Sequence, residues 1–235
     1  MKPVIGGVIL AAGAGTRMGS PKAALRVGDG QLNWPVGIKR PDEIGQLAKS
    51  FETMQQRLQT DALTSLANRE AFMLRLRQKI GQSSGGPGDE RFAVLFIDLN
   101  RFKHINDHFG HEAGDRVLIE VAQRLRNAVR SGDLVARLSG DEFVILLDRV
   151  DSGEGLERVR QEIQASLKEP FMALRKEVLD GIDFGGSVGE AIYPDDGADA
   201  ESLLKKADRR MYGQKFAERA QVSAHPLRRA SDQRK

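Results

Sequence analysis

The chain has 235 residues, 40% of them apolar and 29% charged, which suits a soluble globular domain of about 150 residues plus an accessory segment. Cysteine is absent, which excludes disulfides and thiolate metal sites. The formal net charge is only +3, and the last twenty residues alone carry that excess, so a generally basic nucleic-acid-binding surface is excluded and no nucleic-acid partner is expected.

The longest apolar run near the start, Val8 to Ala12, is far below the ~20 residues of a membrane helix. The start also lacks the pattern of a secretory signal. A cytoplasmic chain is expected. Next, Gly13-Ala14-Gly15-Thr16-Arg17-Met18-Gly19-Ser20-Pro21-Lys22 forms a glycine-rich loop bearing Arg and Lys. Small residues let the backbone approach a phosphate, and basic side chains neutralise it. Residues 10–22 resemble the opening signature of nucleotidyltransferases. Such a loop needs a Rossmann-like sheet behind it, and a different kind of sequence follows at once. Residues 1–25 are therefore read as a nucleotidyltransferase-like segment, not a complete domain.

Gly28-Asp29-Gly30 and Trp34-Pro35 are loop punctuation. Pro41-Asp42-Glu43 then predicts a helix start, with acids near the positive end of the dipole. Ile44, Leu47, Phe51, Met54 and Leu58 follow as a heptad seam. So narrow and short a stripe predicts a helix–helix contact. Pro41 to Ala48, with Phe51 and Met54, resembles the second half of a HAMP signalling module. The resemblance implies a parallel homodimeric bundle. It also implies membrane attachment only through a sensor region absent from this chain, full-length relatives often being anchored at the inner membrane.

Beyond Asp61, Phe72, Leu76 and Ile80 mark a helix over 69–80. Phe92 to Ile97 is a fully apolar run that reads as a central strand ended by Asp98. A long amphipathic helix is expected from about Glu112 to Val129. Leu134 to Leu147 reads as a hairpin around a Ser139-Gly140 turn, with Asp141 and Glu142 just past its tip. A helix near 156–167, strands near 172–178 and 185–193, and a helix over 200–216 complete an α/β pattern. The tail after Ala220 is basic and polar.

Asp98, Asp141 and Glu142 are the candidate chemistry. Strand ends are where open α/β sheets bind ligands. Three converging carboxylates repel unless a cation joins them, and an all-oxygen donor set suits Mg²⁺ or Mn²⁺. The plainer alternative is that Asp98 and Asn100 cap the next helix while Asp141 finishes a turn.

A series of motifs follows in order. Asp61-x-Leu63-Thr64-x-Leu66-x-Asn68-Arg69 comes first, then Phe96 to Asp115. After these stand Ser139-Gly140-Asp141-Glu142-Phe143, Ser187-Val188-Gly189, Tyr193-Pro194-x-Asp196-Gly197 and Ala207-Asp208-x-x-Met211-Tyr212. Together they resemble the GGDEF family of diguanylate cyclases. The resemblance implies a nucleotidyl-cyclase-like α/β domain over 61–220, with a central mixed sheet flanked by helices. A helical coiled-coil stalk, the partial HAMP segment of residues 26–60, would precede it, and residues 221–235 would form a basic flexible tail. The implied reaction joins two GTP into cyclic di-GMP plus pyrophosphate in a dimer.

Carried over by position, Asp98, the Leu99 carbonyl, Asp141 and Glu142 are expected to hold the metals. Asp141 or Glu142 would serve as catalytic base; the sequence does not choose between them. Lys103, Lys215 and Arg219 are expected on the triphosphate. Asn106 and Asp115 are expected on guanine, whose ring N–H and amine an aspartate can accept together. Arg130 and Asp133 resemble the family's inhibitory RxxD site for cyclic di-GMP; the alternative is a helix C-terminus and a turn. Three departures stand out: Ser139 for the first Gly, Asn100 for a second acid, and Glu218 beside Arg219. They keep open a second reading, a weak or inactive domain that binds cyclic di-GMP as a signalling module.

Overall fold

The computed structural model describes residues 42–83, 91–150, 153–172, 174 and 184–223. The nucleotidyltransferase-like segment, residues 26–41 of the partial HAMP segment and residues 224–235 lie outside the described residues. The chain divides into two units, residues 1–58 and 59–235. In the first, α1 (Glu43–Gln59) begins where Pro41-Asp42-Glu43 predicts, and Asp42 Oδ1 accepts the Gly45 N–H at 3.2 Å as an N-terminal cap. Of its seam, Leu47, Met54 and Leu58 are each more than half exposed. Among the described residues no helix is long and apolar enough to cross a membrane.

The second unit is built on a four-stranded sheet. Its elements run α2 (Arg69–Ser83), β1 (Phe92–Asn100), α3 (Phe102–Phe109), α4 (His111–Asn127), β2 (Leu134–Ser139), β3 (Glu142–Leu147), α5 (Gly153–Lys168), β4 (Gly185–Tyr193) and α6 (Ala200–Ser223). The strand order is β2-β3-β1-β4 and each of these pairings is antiparallel. A parallel bridge joins Ala67 to Ala136 of β2.

The parity of β1 explains why its apolar run is continuous. Ala93, Leu95, Ile97 and Leu99 enter one core with Ile105 of α3, Val117, Val121 and Leu125 of α4, and Ile163 and Leu167 of α5. Phe92, Val94 and Phe96 enter a second core with Phe72 and Leu76 of α2 and Leu203, Ala207 and Met211 of α6. A strand buried on both faces has no polar side to alternate with. Asp98 continues the even parity, so it lies on the face that α2 and α6 cover.

Several expectations change. β1 runs to Asn100, so Asp98 lies within the strand rather than ending it. A helix expected nowhere, α3, occupies 102–109 and buries Phe102 and Ile105. The register shifts between Arg137 and Ser139, which moves the hairpin turn forward by one residue. Ser139 and Glu142 close the strands, and Gly140 (φ 45°) and Asp141 form the turn itself. α6 continues to Ser223, past the expected end at Phe216. Met172 and Leu174 sit in turn and bend, not in the strand expected over 172–178; the rest of that stretch is outside the described residues.

Candidate active site

Asp98 sits between two neighbours in the sheet. It faces Glu142 across β1 and β3, and Ser187 across β1 and β4. The backbone N–H of Leu99 bonds the Asp141 carbonyl at 3.3 Å, so the hairpin turn is stitched to β1 beside the acids. The helix-capping alternative for Asp98 and Asn100 does not hold. The residue before α3 is Arg101, in a left-handed conformation (φ 61°), and no side chain caps the helix. Asn100 instead accepts the Ser187 hydroxyl at 3.1 Å.

α6 brings the cation. Lys215 Nζ forms an ion pair with Asp98 Oδ1, and both side chains are less than one-fifth exposed. What allows this approach is Gly189 on β4. A Cβ there would stand 2.1 Å from the Ala207 carbonyl and 2.2 Å from the Met211 nitrogen. Only the missing side chain lets the α6 backbone lie against the strand. Gln214, the residue before Lys215, also accepts the Val188 N–H on its Oε1 at 3.2 Å. Arg219 lies on the last part of the same helix, and its side chain is outside the described residues.

Electrostatics marks the acids. Burial pushes the Asp141 carboxyl up, Asp98 and Glu142 add to it, and Lys215 offsets part. Asp208 on α6 is also pushed up, by burial first and then by Glu142 and Asp98. Asp208 is a fourth acid of this group that spacing alone does not reveal, although it lies in the Ala207-Asp208 motif. Carboxylates that raise one another have too little counter-charge, and oxygen-only donors fit a hard divalent cation. Among the described residues no three His, Asp or Glu side chains are gathered to enclose an ion. Glu142 has one further partner: the Ser139 hydroxyl donates to its Oε2 at 2.7 Å.

The base-recognition candidates lie on the opposite core's helices. Lys103 and Asn106 belong to α3, Asp115 to α4. Asp115 is not a first-turn acid, since Glu112 holds that place. Gly114 opens room for Asn106: a Cβ there would meet Asn106 Oδ1 at 1.9 Å. Around the RxxD pair, α4 ends at Asn127, so Arg130 is beyond the helix. Asp133 accepts the Arg130 N–H and the Asp148 N–H, both at 3.0 Å, which fixes the turn. Cavities of about 430 and 620 Å³ flank this turn, the first also lined by Arg149, Arg158 and Glu162.

The hairpin is also tied to the start of the unit. Arg137 donates to the Gly140 carbonyl at 2.9 Å and to Asp61 Oδ1 at 3.0 Å. Asp61 Oδ1 also takes the Thr64 N–H and hydroxyl. Burial alone would raise the Asp61 carboxyl, but the Thr64 and Arg137 bonds outweigh it and hold it below its ordinary value.

Residues 58–221 match the diguanylate cyclase GGDEF domain. The chain belongs to the GGDEF family. Residues 22–60 match the HAMP domain. The chain is 39% identical over 193 residues to diguanylate cyclase TpbB of Pseudomonas aeruginosa (strain UCBPP-PA14), covering 75% of this chain and 43% of that one. It is 40% identical over 166 residues to the bifunctional diguanylate cyclase/cyclic di-GMP phosphodiesterase MucR of the same species, covering 71% and 23%. It thus spans less than half the length of these curated relatives. The GGDEF domain of P. aeruginosa TpbB has the same fold, with TM-score 0.60 and 41% identity over 67% of this chain and 89% of that one. The coiled coil and GGDEF domain of DgcB from Caulobacter crescentus, solved with cyclic di-GMP, gives TM-score 0.66 and 25% identity over 74% and 90%.

Proposed function

We propose that this GGDEF domain is a diguanylate cyclase that condenses two GTP into cyclic di-GMP and two pyrophosphates. One observation carries the reading: Asp98 and Glu142 face each other across β1 and β3, and α6 sets Lys215 on the same acid. Each protomer of a homodimer presents one GTP. The 3′-hydroxyl of each GTP attacks the α-phosphorus of the other; two new O–P bonds form as two bonds to pyrophosphate break. The hydroxyl proton passes to Asp141 or Glu142. Mg²⁺ or Mn²⁺, held by Asp98, the Leu99 carbonyl, Asp141 and Glu142, would supply charge neutralisation at the phosphate.

Lys215 exchanges its carboxylate for a phosphate oxygen when nucleotide arrives, and Lys103 and Arg219 hold the remaining charge. Asn106 and Asp115 choose guanine by hydrogen bonds that adenine does not satisfy. Product occupies the cavity at Arg130 and Asp133, where guanidinium stacks on base and pairs with phosphate. Residues 26–60 act as the coupling and dimerising helix and 61–220 as the cyclase domain. GTP as substrate places the domain in the cytoplasm.

The bond from Ser139 to Glu142 favours a second reading, a weak or inactive domain that binds cyclic di-GMP as a signalling module. Incubation with GTP and Mg²⁺ decides between them. Cyclic di-GMP with two pyrophosphates released per molecule of product supports the cyclase. Absence of product from a confirmed dimer, with cyclic di-GMP still bound, supports the module.

A further inference from the structure

We propose that His104 and His108 on α3 form a two-histidine site for a borderline transition-metal ion such as Zn²⁺ or Ni²⁺. It is separate from the carboxylates of the candidate active site. The two residues are four apart on one helix and therefore share a face. Their rings stand 3.8 Å apart, centroid to centroid, tilted by 46°. Both are exposed, so an ion reaches them with little desolvation.

The hydrogen bonding prepares the pair. His108 Nδ1 lies 3.1 Å from the His104 carbonyl oxygen. A carbonyl accepts only, so Nδ1 carries the proton and Nε2 keeps the lone pair. A backbone carbonyl on the far nitrogen is the support that metal-ligating histidines use. Imidazole nitrogen suits Zn²⁺, Ni²⁺ and Cu²⁺, whereas Mg²⁺ prefers oxygen. Among the described residues no third His, Asp or Glu completes the set, so water fills the remaining positions.

The site also has something to stabilise. α3 is eight residues long, its start is uncapped, and such a length is marginal alone. A chelate across one turn ties residue 104 to residue 108, with Asn106 between them. Occupancy would therefore stiffen the helix proposed to recognise guanine; that consequence rests on the cyclase reading, the metal site does not.

The test is calorimetric titration of the full chain with Zn²⁺ in excess Mg²⁺, without nucleotide. The hard cation occupies the carboxylates, and no turnover is needed. One Zn²⁺ is expected per chain, bound about tenfold or more weaker in His104→Gln and in His108→Gln. His225→Gln, which changes the fourth histidine, should bind as the parent does. Zn²⁺ should raise the melting temperature of the parent and leave that of the two α3 variants unmoved. Binding within twofold of the parent in either α3 variant overturns the site, as does loss of binding in His225→Gln. Melting curves without metal confirm that the variants fold.

Discussion

Gly114→Ala separates recognition from stability. An alanine Cβ would stand 1.9 Å from Asn106 Oδ1, 3.0 Å from Asn106 Cγ and 3.3 Å from the Phe102 ring. The clashing group is the end of a flexible side chain, not backbone. Rotating it away costs about 0.5–1.5 kcal/mol. Replacing a helix-interior glycine returns roughly 0.5–1 kcal/mol. The two nearly cancel, so the melting temperature should move by no more than about 3 °C. Recognition does not cancel. An Asn106 amide turned away forfeits a hydrogen bond to guanine of about 1–1.5 kcal/mol, which is roughly five- to twelvefold in GTP affinity. Calorimetric titration with GTP reads the affinity and a melting curve reads the fold. In an Asn106→Ala background the Gly114→Ala change should have no further effect on GTP. Affinity within twofold of the parent, at an unchanged melting temperature, would refute the argument.

Four other outcomes follow from the same geometry. Gly189→Ala directs its Cβ into the α6 backbone, which cannot rotate away; overpacking of at least about 1–3 kcal/mol should lower the melting temperature by several degrees, and an unchanged curve would refute the close approach. Asp141→Asn should abolish turnover yet stabilise the fold at neutral pH. The raised carboxyl contributes stability when protonated, at low pH, and loses it as pH rises through its folded value; a variant less stable than the parent near neutrality overturns this. Ser139→Gly removes the hydroxyl from Glu142 and should raise turnover, while a fall would show that the bond helps. Asp61 is held low, so its contribution is present above its unfolded value and lost as pH falls through the folded one. Asp61→Asn should therefore lower stability at neutral pH, by on the order of 1 kcal/mol or less for a partly exposed pair, and leave it unchanged in strong acid, as acid melting curves will check.

The parts legible in the sequence were those set by local pattern. Phe92 to Ile97 announced a strand buried on both sides, and the seven buried positions of α4 repeat at helical spacing. What escaped depends on tertiary context. α3 has one short apolar stripe, Phe102, Ile105 and Phe109, and starts after an arginine at φ 61°, which no propensity favours. The hairpin turn sits one residue later than Ser139-Gly140 suggests, because the irregularity at Leu138 resets the pairing. Asp208 joins the acids only because a glycine on β4 admits α6 so closely, a contact between residues far apart in sequence. The acids themselves were found by residue type, but Asp98 inside β1 rather than at its end is a matter of register.

The bonds of Arg137 have a practical meaning for trimming the chain. Thr60 pairs with Ala67, Ala67 with Ala136, and Arg137 reaches back to Asp61 while gripping the Gly140 carbonyl. A fragment starting at Thr64 would keep Asp98, Asp141, Glu142, Asp208 and Lys215 yet leave the Arg137 guanidinium without the Asp61 carboxylate, beside the loop that presents Asp141. The shortest piece that retains a braced loop starts before Thr60. Any foreign module grafted upstream of that residue inherits the brace intact.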